Sequence, residues 1–410
     1  MRSESYSATT VGKVLALAGV SRPTFYEHFT DKEDCFLTGL VPIRNALLGK
    51  VANAVRDAPP EDSTGAAVAA LVAFARAEPA PARLLLAEPL AGGMHARDAR
   101  DGMLAEMARI AEAARQLAPA STALPDLPDC VLLGAASRLL ACRLASSKAN
   151  LTGLSDQLLV WLESYNEQAG ECRWRRLQPG PAPARSPFLA PSPLRAPPSI
   201  AAARVCEERF AEQRALSIMF ATAEIVRKDG YSSATVAEIT RRASVDPRTF
   251  YRLFADKQDA LVAATDLLFR HAMGVTAAAF AAGSSWPDRV WEAARALTQC
   301  VEQNPALAYV SLVEAPAVNR AAVRRAGELA CAFTIFLQEG YRYEHRRGRP
   351  SAVGLDAIAM TVFELAYGYA RGNCAAPLSG LLGHVAFIAL APFLGAAQTN
   401  AFIRRKTCSK

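Results

Sequence analysis

At 410 residues the chain is long enough for two or three domains, each with a sizeable core. Its hydrophobic content of 51%, rich in Ala and Leu, favours helix, and its net charge of +7 is compatible with a nucleic-acid partner. The nine scattered cysteines form no CxxC pair and read as reduced, mostly buried thiols of a cytoplasmic protein, and no charged-then-apolar signal segment opens the chain.

In chain order, the first predicted elements are short capped helices. Thr10 caps one, Ser21 the next and Asp31 a third, with Asp34 three residues on as the partner of a capping box. Residues 40–170 follow as an Ala/Leu-rich stretch without strand alternation, several helices around an apolar core. Between Leu177 and Ser199 stand eight prolines, which exclude helix and predict an extended linker with a reach of roughly 60 Å at ~3 Å per residue.

Beyond the linker the same signals return in fuller form. Leu216, Met219, Phe220, Ala223 and Val226 keep i, i+3, i+4 spacing and predict an amphipathic helix ending near Asp229-Gly230. Thr235 caps a second helix to about Ala243. Asp246 caps a third with Pro247 at its first position, and Asp256 caps a fourth with Asp259 behind it. Residues 265–400 read as another helical bundle. Its apolar stretch Ser379–Ala397 is about long enough to span a bilayer, but reads as a buried last helix.

The two halves repeat each other. Thr24-Phe25-Tyr26-Glu27-His28-Phe29-Thr30-Asp31-Lys32 returns as Thr249-Phe250-Tyr251-Arg252-Leu253-Phe254-Ala255-Asp256-Lys257, displaced by 225 positions. Tyr6-Ser7, Thr10-Val11, Ala18 and Val20 recur as Tyr231-Ser232, Thr235-Val236, Ala243 and Val245. Pro79-Ala80, Leu86 and Glu88 recur as Pro305-Ala306, Leu312 and Glu314. A helix, a short turn and a helix, twice, is helix-turn-helix geometry. The first copy has only five residues before Tyr6, where the second has some twenty helix-forming ones, so either the true start is expected upstream of Met1 or the first head is expected to lack its first helix and fold poorly.

These residues resemble the tetracycline-repressor (TetR) family of bacterial transcription regulators, whose motif runs like Val-Ser-x-x-Thr-Phe-Tyr-x-His-Phe. Leu253, where His is common, departs from it. The resemblance implies an all-α fold of two tandem units, each a helix-turn-helix head followed by a helical ligand-binding and dimerisation domain. The corresponding segments are 1–45, 46–172, a linker over 173–203, 204–264 and 265–410. It implies a cytoplasmic repressor without a cofactor, which binds a double-stranded DNA operator and is released by a small-molecule effector.

The DNA-binding candidates follow from position. Arg22, Thr24, Arg248 and Thr249 stand near the start of the third helix of each head, where side chains reach base edges. Tyr26 and Tyr251 offer hydroxyls to phosphate. Thr10 and Thr235 stand at helix N-termini, and Lys32 and Lys257 at the start of the next helix. Phe25, Phe29, Phe250 and Phe254 read as core staples. Phe333, Phe336, Tyr341, Phe363 and Tyr367 read as core or as effector lining.

An enzyme is disfavoured. The five histidines lie far apart, no Gly-rich phosphate loop or GxSxG elbow is present, and Glu88/Glu314 and Asp98/Asp101 read as solvated or helix-terminal carboxylates. A helical interaction scaffold without a DNA role is the remaining alternative. Two heads in one chain, with two pairing surfaces near 130–168 and 355–397, predict an intramolecular pseudo-dimer. An ordinary homodimer with four heads is the rival.

Overall fold

The computed structural model describes residues 6, 8–117, 127–145, 150–165, 207–342, 350–372 and 377–408. The Pro-rich linker and the first five residues lie outside them. Among the described residues the chain is all-α. It divides into two compact units, and neither follows the sequence segments. One holds 1–178, 316–364 and 383–410, the other 179–315 and 365–382.

The first unit begins with α1 (Val11–Ala18), α2 (Arg22–His28) and α3 (Lys32–Asp57), followed by α4 (Ser63–Ala77), α5 (Pro79–Leu86), α6 (Met94–Arg115), α7 (Asp129–Leu144) and α8 (Leu154–Glu163). The core forms where α3 meets α4 and α6. Leu47, Val51, Val68, Leu71, Val72, Phe74, Met103 and Met107 there are essentially sealed from solvent. α3 is also long and apolar enough to cross a membrane by length and composition alone. It is the apolar stretch predicted at Ser379–Ala397 that is the more deeply buried of the two.

In the second unit α9 (Glu207–Asp229) lies on α10 (Val236–Ala243), α11 (Pro247–Leu253) and α12 (Lys257–Ala281). α12 then packs along α13 (Trp286–Gln303), and α14 (Pro305–Tyr309) continues into a π-helical turn, Val310–Glu314. Gly230 ends α9 in the left-handed region, as its place after Asp229 predicts.

Most of the end of the chain, residues 316–364 and 383–410, returns to the first unit. α15 (Arg320–Ala332) runs into a 3-10 stretch, Phe333–Arg342, and is followed by α16 (Ala352–Ala370), α17 (Leu382–Leu394) and α18 (Ala396–Cys408). The apolar stretch is therefore α17, with Val385–Phe393 buried, and it is the penultimate helix rather than the last. Within this unit α15 packs on α7. The Tyr165 hydroxyl donates to the Ile388 carbonyl at 3.0 Å, and its ring lies 5.9 Å from that of Phe387.

A buried ionic triad stands at the same junction. Glu364 accepts from Arg100 Nη2 at 2.9 Å and from Arg138 Nε at 2.5 Å. The side chains are 0%, 3% and 7% exposed for Arg100, Arg138 and Glu364. Burial alone would raise the Glu364 pKa, but the guanidiniums of Arg100 and Arg138 outweigh it and hold the carboxyl below its ordinary range.

The cysteines correct one expectation. Among the described residues Cys300 is buried, Cys130 is exposed, and Cys35, Cys142 and Cys331 lie between. Burial pushes the Cys300 thiol up to about 12, which leaves it unreactive.

Candidate nucleic-acid interface

Each head is built by local capping. In the first, the side chains of Thr10, Ser21 and Asp31 accept from the N–H groups of Lys13, Thr24 and Asp34. In the second, Thr235, Asp246 and Asp256 accept from Glu238, Thr249 and Asp259. The back half of the predicted capping box is shifted by one residue. Asp34 and Asp259 accept from Thr30 N and Ala255 N, the residues before the caps.

The turn between the two helices needs a left-handed residue. The first head supplies Gly19 (φ 68) and the second Ser244 (φ 55). A side chain in that region costs about 1–2 kcal/mol. Ser244→Gly is expected to stabilise the second head by up to ~1 kcal/mol, read as slower hydrogen exchange along α10. Exchange that becomes faster would contradict this.

Phe25, Phe250 and Phe254 are buried and Phe29 is half-buried, with tilted rings 5.3 Å apart in the first head and 5.9 Å apart in the second. They hold α2 and α11 in place, and so set which side chains face outward. Tyr26 and Tyr251 stand 52% and 60% exposed. Arg22, Arg248, Thr10 and Thr235 are also exposed. The two threonine hydroxyls accept a capping N–H and keep their own proton to donate.

Four candidates are placed differently. Thr249 is buried and donates its hydroxyl to Asp246 Oδ2 at 2.7 Å, so it is withdrawn from a base edge. That bond and the Thr249 N–H hold the Asp246 carboxyl below its ordinary range. Thr24 lies 2.8 Å from Ser21 Oγ and is half-buried. Lys32 Nζ donates to the Tyr6 carbonyl at 3.2 Å and sits 4.2 Å above the Tyr6 ring. Lys257 Nζ donates to the carbonyls of Tyr231, Ser232 and Ala234 at 3.1, 3.4 and 2.9 Å, 4.6 Å above the Tyr231 ring. An ammonium has three protons, so Lys257 is committed to the loop before α10 rather than to phosphate.

Glu88 and Glu314 are not the solvated carboxylates their sequence context predicts. They are 0% and 3% exposed. Glu88 Oε2 accepts from Tyr6 N at 2.6 Å, and Glu314 Oε2 from Tyr231 N at 3.3 Å. In both repeats the backbone of one tyrosine is thus held from two sides, its N–H by a buried Glu of the body and its carbonyl by a Lys. The signal was their matched place in the repeat. What it lacked was any indication that the partner would be backbone.

The heads differ in cover. In the second, α9 buries Ile218, Ala223 and Val226, and Ile239 and Ala243 of α10 are sealed. In the first, α1 has no buried residue, and Leu17 is 80% exposed. In the second head Arg242 pairs with Glu224 at 2.5 Å.

A cavity of about 300 Å³ opens in the first unit where the end of α3 and the start of α4 meet α7 and α8. Leu132, Leu159, Leu162 and Tyr165 form its apolar wall, and Arg115, paired with Asp129, a polar one. Phe333, Phe336, Tyr341, Phe363 and Tyr367 do not line it. Tyr367 is buried, Tyr341 donates to the Pro350 carbonyl at 2.7 Å, and Phe363 carries the Arg138 guanidinium 4.3 Å above its ring. No group of His, Cys, Asp and Glu among the described residues could hold a metal ion.

The family model of bacterial regulatory proteins, tetR family, matches this chain over residues 1–38 and 218–265. A comparison with curated proteins gives no match. Among solved structures, the fatty acid degradation regulator FadR from Bacillus halodurans is 16% identical, with a TM-score of 0.38 over 42% of this chain and 92% of its own. The transcriptional regulator FadR from Bacillus subtilis, solved in complex with stearoyl-CoA, is 14% identical, with a TM-score of 0.38 over 43% and 98%. The chain thus carries, in tandem, two segments similar to the DNA-binding head of tetR-family transcription regulators, each folded as a helix-turn-helix.

Proposed function

We propose that the protein is a transcriptional repressor that reads a duplex-DNA operator through its two heads and lets go when a small, largely apolar molecule enters a helical body. One observation carries this reading. Caps at matched positions of both repeats, Ser21 and Asp246, leave an Arg and a Tyr exposed on α2 and α11, Arg22 with Tyr26 and Arg248 with Tyr251. An exposed guanidinium suits the acceptors of guanine, and a phenol hydroxyl suits phosphate. The second head, with α9 over its core, is the stronger reader. The cavity beside Leu132, Leu159 and Tyr165 is the candidate effector site.

Fluorescence anisotropy on selected operator fragments tests this. Arg248→Ala is expected to cost about 1–3 kcal/mol on the preferred sequence and to relax base preference. Tyr251→Phe is expected to weaken all sequences alike. Binding of both variants indistinguishable from the parent would refute the reading.

The two bodies pair within one chain, so that the protein works as an intramolecular pseudo-dimer. Support comes from the first unit, where α7 of the first repeat packs with α15 of the second, and Tyr165, just after α8, meets Phe387 and Ile388 of α17. Light scattering is expected to give the mass of one chain. Because the reading helices differ, Arg22-Pro23 against Pro247-Arg248, site selection is expected to return an asymmetric operator. A two-chain mass on a symmetric operator would overturn this in favour of a homodimer.

A further inference from the structure

The repeat relates the two members of the buried ion pair to each other. Glu364 lies 226 positions after Arg138, and 226 is also the displacement from Glu88 to Glu314 and from Pro79 to Pro305. The two helices that carry them correspond in the same way, since α7 ends at Leu144 and α16 at Ala370. Arg138 therefore meets its own counterpart. Its guanidinium also covers the ring of Phe363, the counterpart of Ser137. Gly134, one turn earlier, leaves room for Glu364, since a Cβ there would stand 3.1 Å from its carboxylate. Such self-contacts are what a local two-fold axis between two similar bodies produces.

At an axis, a residue meets its own counterpart in whichever copy lies opposite. Two first-repeat bodies would bring Arg138 against Arg138, with Arg100 of each adding a further positive charge. Two second-repeat bodies would bring Glu364 against Glu364, and the counterpart of Arg100 there is Ala326, which offers no compensation. Uncompensated like charges buried this deeply are strongly destabilising. Only the unlike pairing closes the triad.

We propose that Arg138 and Glu364 are specificity-determining residues that make the pairing of a first-repeat body with a second-repeat body obligatory and exclude pairing of like bodies. The proposal rests on the pseudo-dimer reading above. A duplicated chain whose bodies remained interchangeable could join its neighbours through either one. Opposite charges at one matched position close the chain on itself, as paired attractive and repulsive contacts do in other selective interfaces. Arg100, also held by Asp101 at 3.0 Å, supports the carboxylate from the first-repeat side.

Two full-length variants test it, Glu364→Arg and Arg138→Glu. Each carries the same charge at both matched positions. Each alone is expected to lose the compact one-chain form, seen as a larger hydrodynamic radius or reduced helicity by circular dichroism. Mixed in equal amounts, they can pair Arg138 of the first variant with Glu364 of the second. A two-chain species is expected on mixing, with an association at least about tenfold stronger than that of either variant with itself. Should a variant fold poorly alone, recovery of helicity on mixing carries the same information. Variants that each keep the parent's mass, radius and thermal stability, or a mixture that forms no joint species and regains no helicity, would overturn the proposal. A parent of two-chain mass would instead refute the underlying pseudo-dimer, so the two failures are distinguishable.

Discussion

Phe250→Ala is expected to unfold the second head and abolish its binding to DNA. The Phe250 side chain is fully sealed, with Tyr251 and Phe254 rings 5.4 and 5.9 Å away. Removing a buried Phe costs about 3–5 kcal/mol, against a stability of roughly 5–15 kcal/mol for a whole domain. A head of a few short helices has less than that to spare, and α11 would lose the anchor that aims Arg248 and Tyr251 outward. Loss of protection along α10 and α11 in hydrogen exchange, with protection of α13 retained, is the expected signature. Operator affinity should fall to the non-specific level. Protected α11 amides in the variant would show that the ring is not what holds the helix. Phe25→Ala is the matching change in the first head. It should do less to affinity, because α1 is already without buried residues.

Lys257→Met is expected to weaken operator binding by loosening the head, without changing the salt dependence of what binding remains. Its ammonium makes three bonds to the loop carbonyls, each of a kind worth about 1.5–3 kcal/mol when fully formed. Partial exposure discounts the sum, and about 2 kcal/mol of lost head stability is a fair expectation. A phosphate contact would behave otherwise. Its removal would lower the slope of log affinity against log salt by about 1 while leaving the fold untouched. Titrations at several salt concentrations, with hydrogen exchange of residues 231–243, separate the two. A reduced slope with unchanged exchange would return Lys257 to the DNA backbone.

Local rules explain why so much of each head was legible. A cap is a side chain accepting from an N–H two or three residues on, so Thr10, Ser21, Asp31, Thr235, Asp246 and Asp256 declare their helices within a four-residue window. Amphipathic spacing placed α9 in the same way, to its end at Asp229. The site was less legible because polar side chains have more than one place to go. Thr249 satisfies Asp246, and Lys257 satisfies three carbonyls, because the local backbone brings those acceptors within reach. A residue type at a helix start does not say whether its donor faces solvent or its own loop.

The sequence by itself determined the duplication, the all-helical character, the caps of the head helices and the phenylalanine staples. Each of these depends on neighbours within a few positions or on comparing the chain with itself. The tertiary structure decided what depends on distant partners. Glu88 and Glu314 are buried because a backbone N–H some eighty residues away accompanies each one inside. Residues 316–364 and 383–410 join the first unit because only there do Glu364 and Ile388 meet Arg138 and Tyr165. A buried charge is tolerated only beside its counter-charge. No local pattern records where along 410 residues that counter-charge will be found.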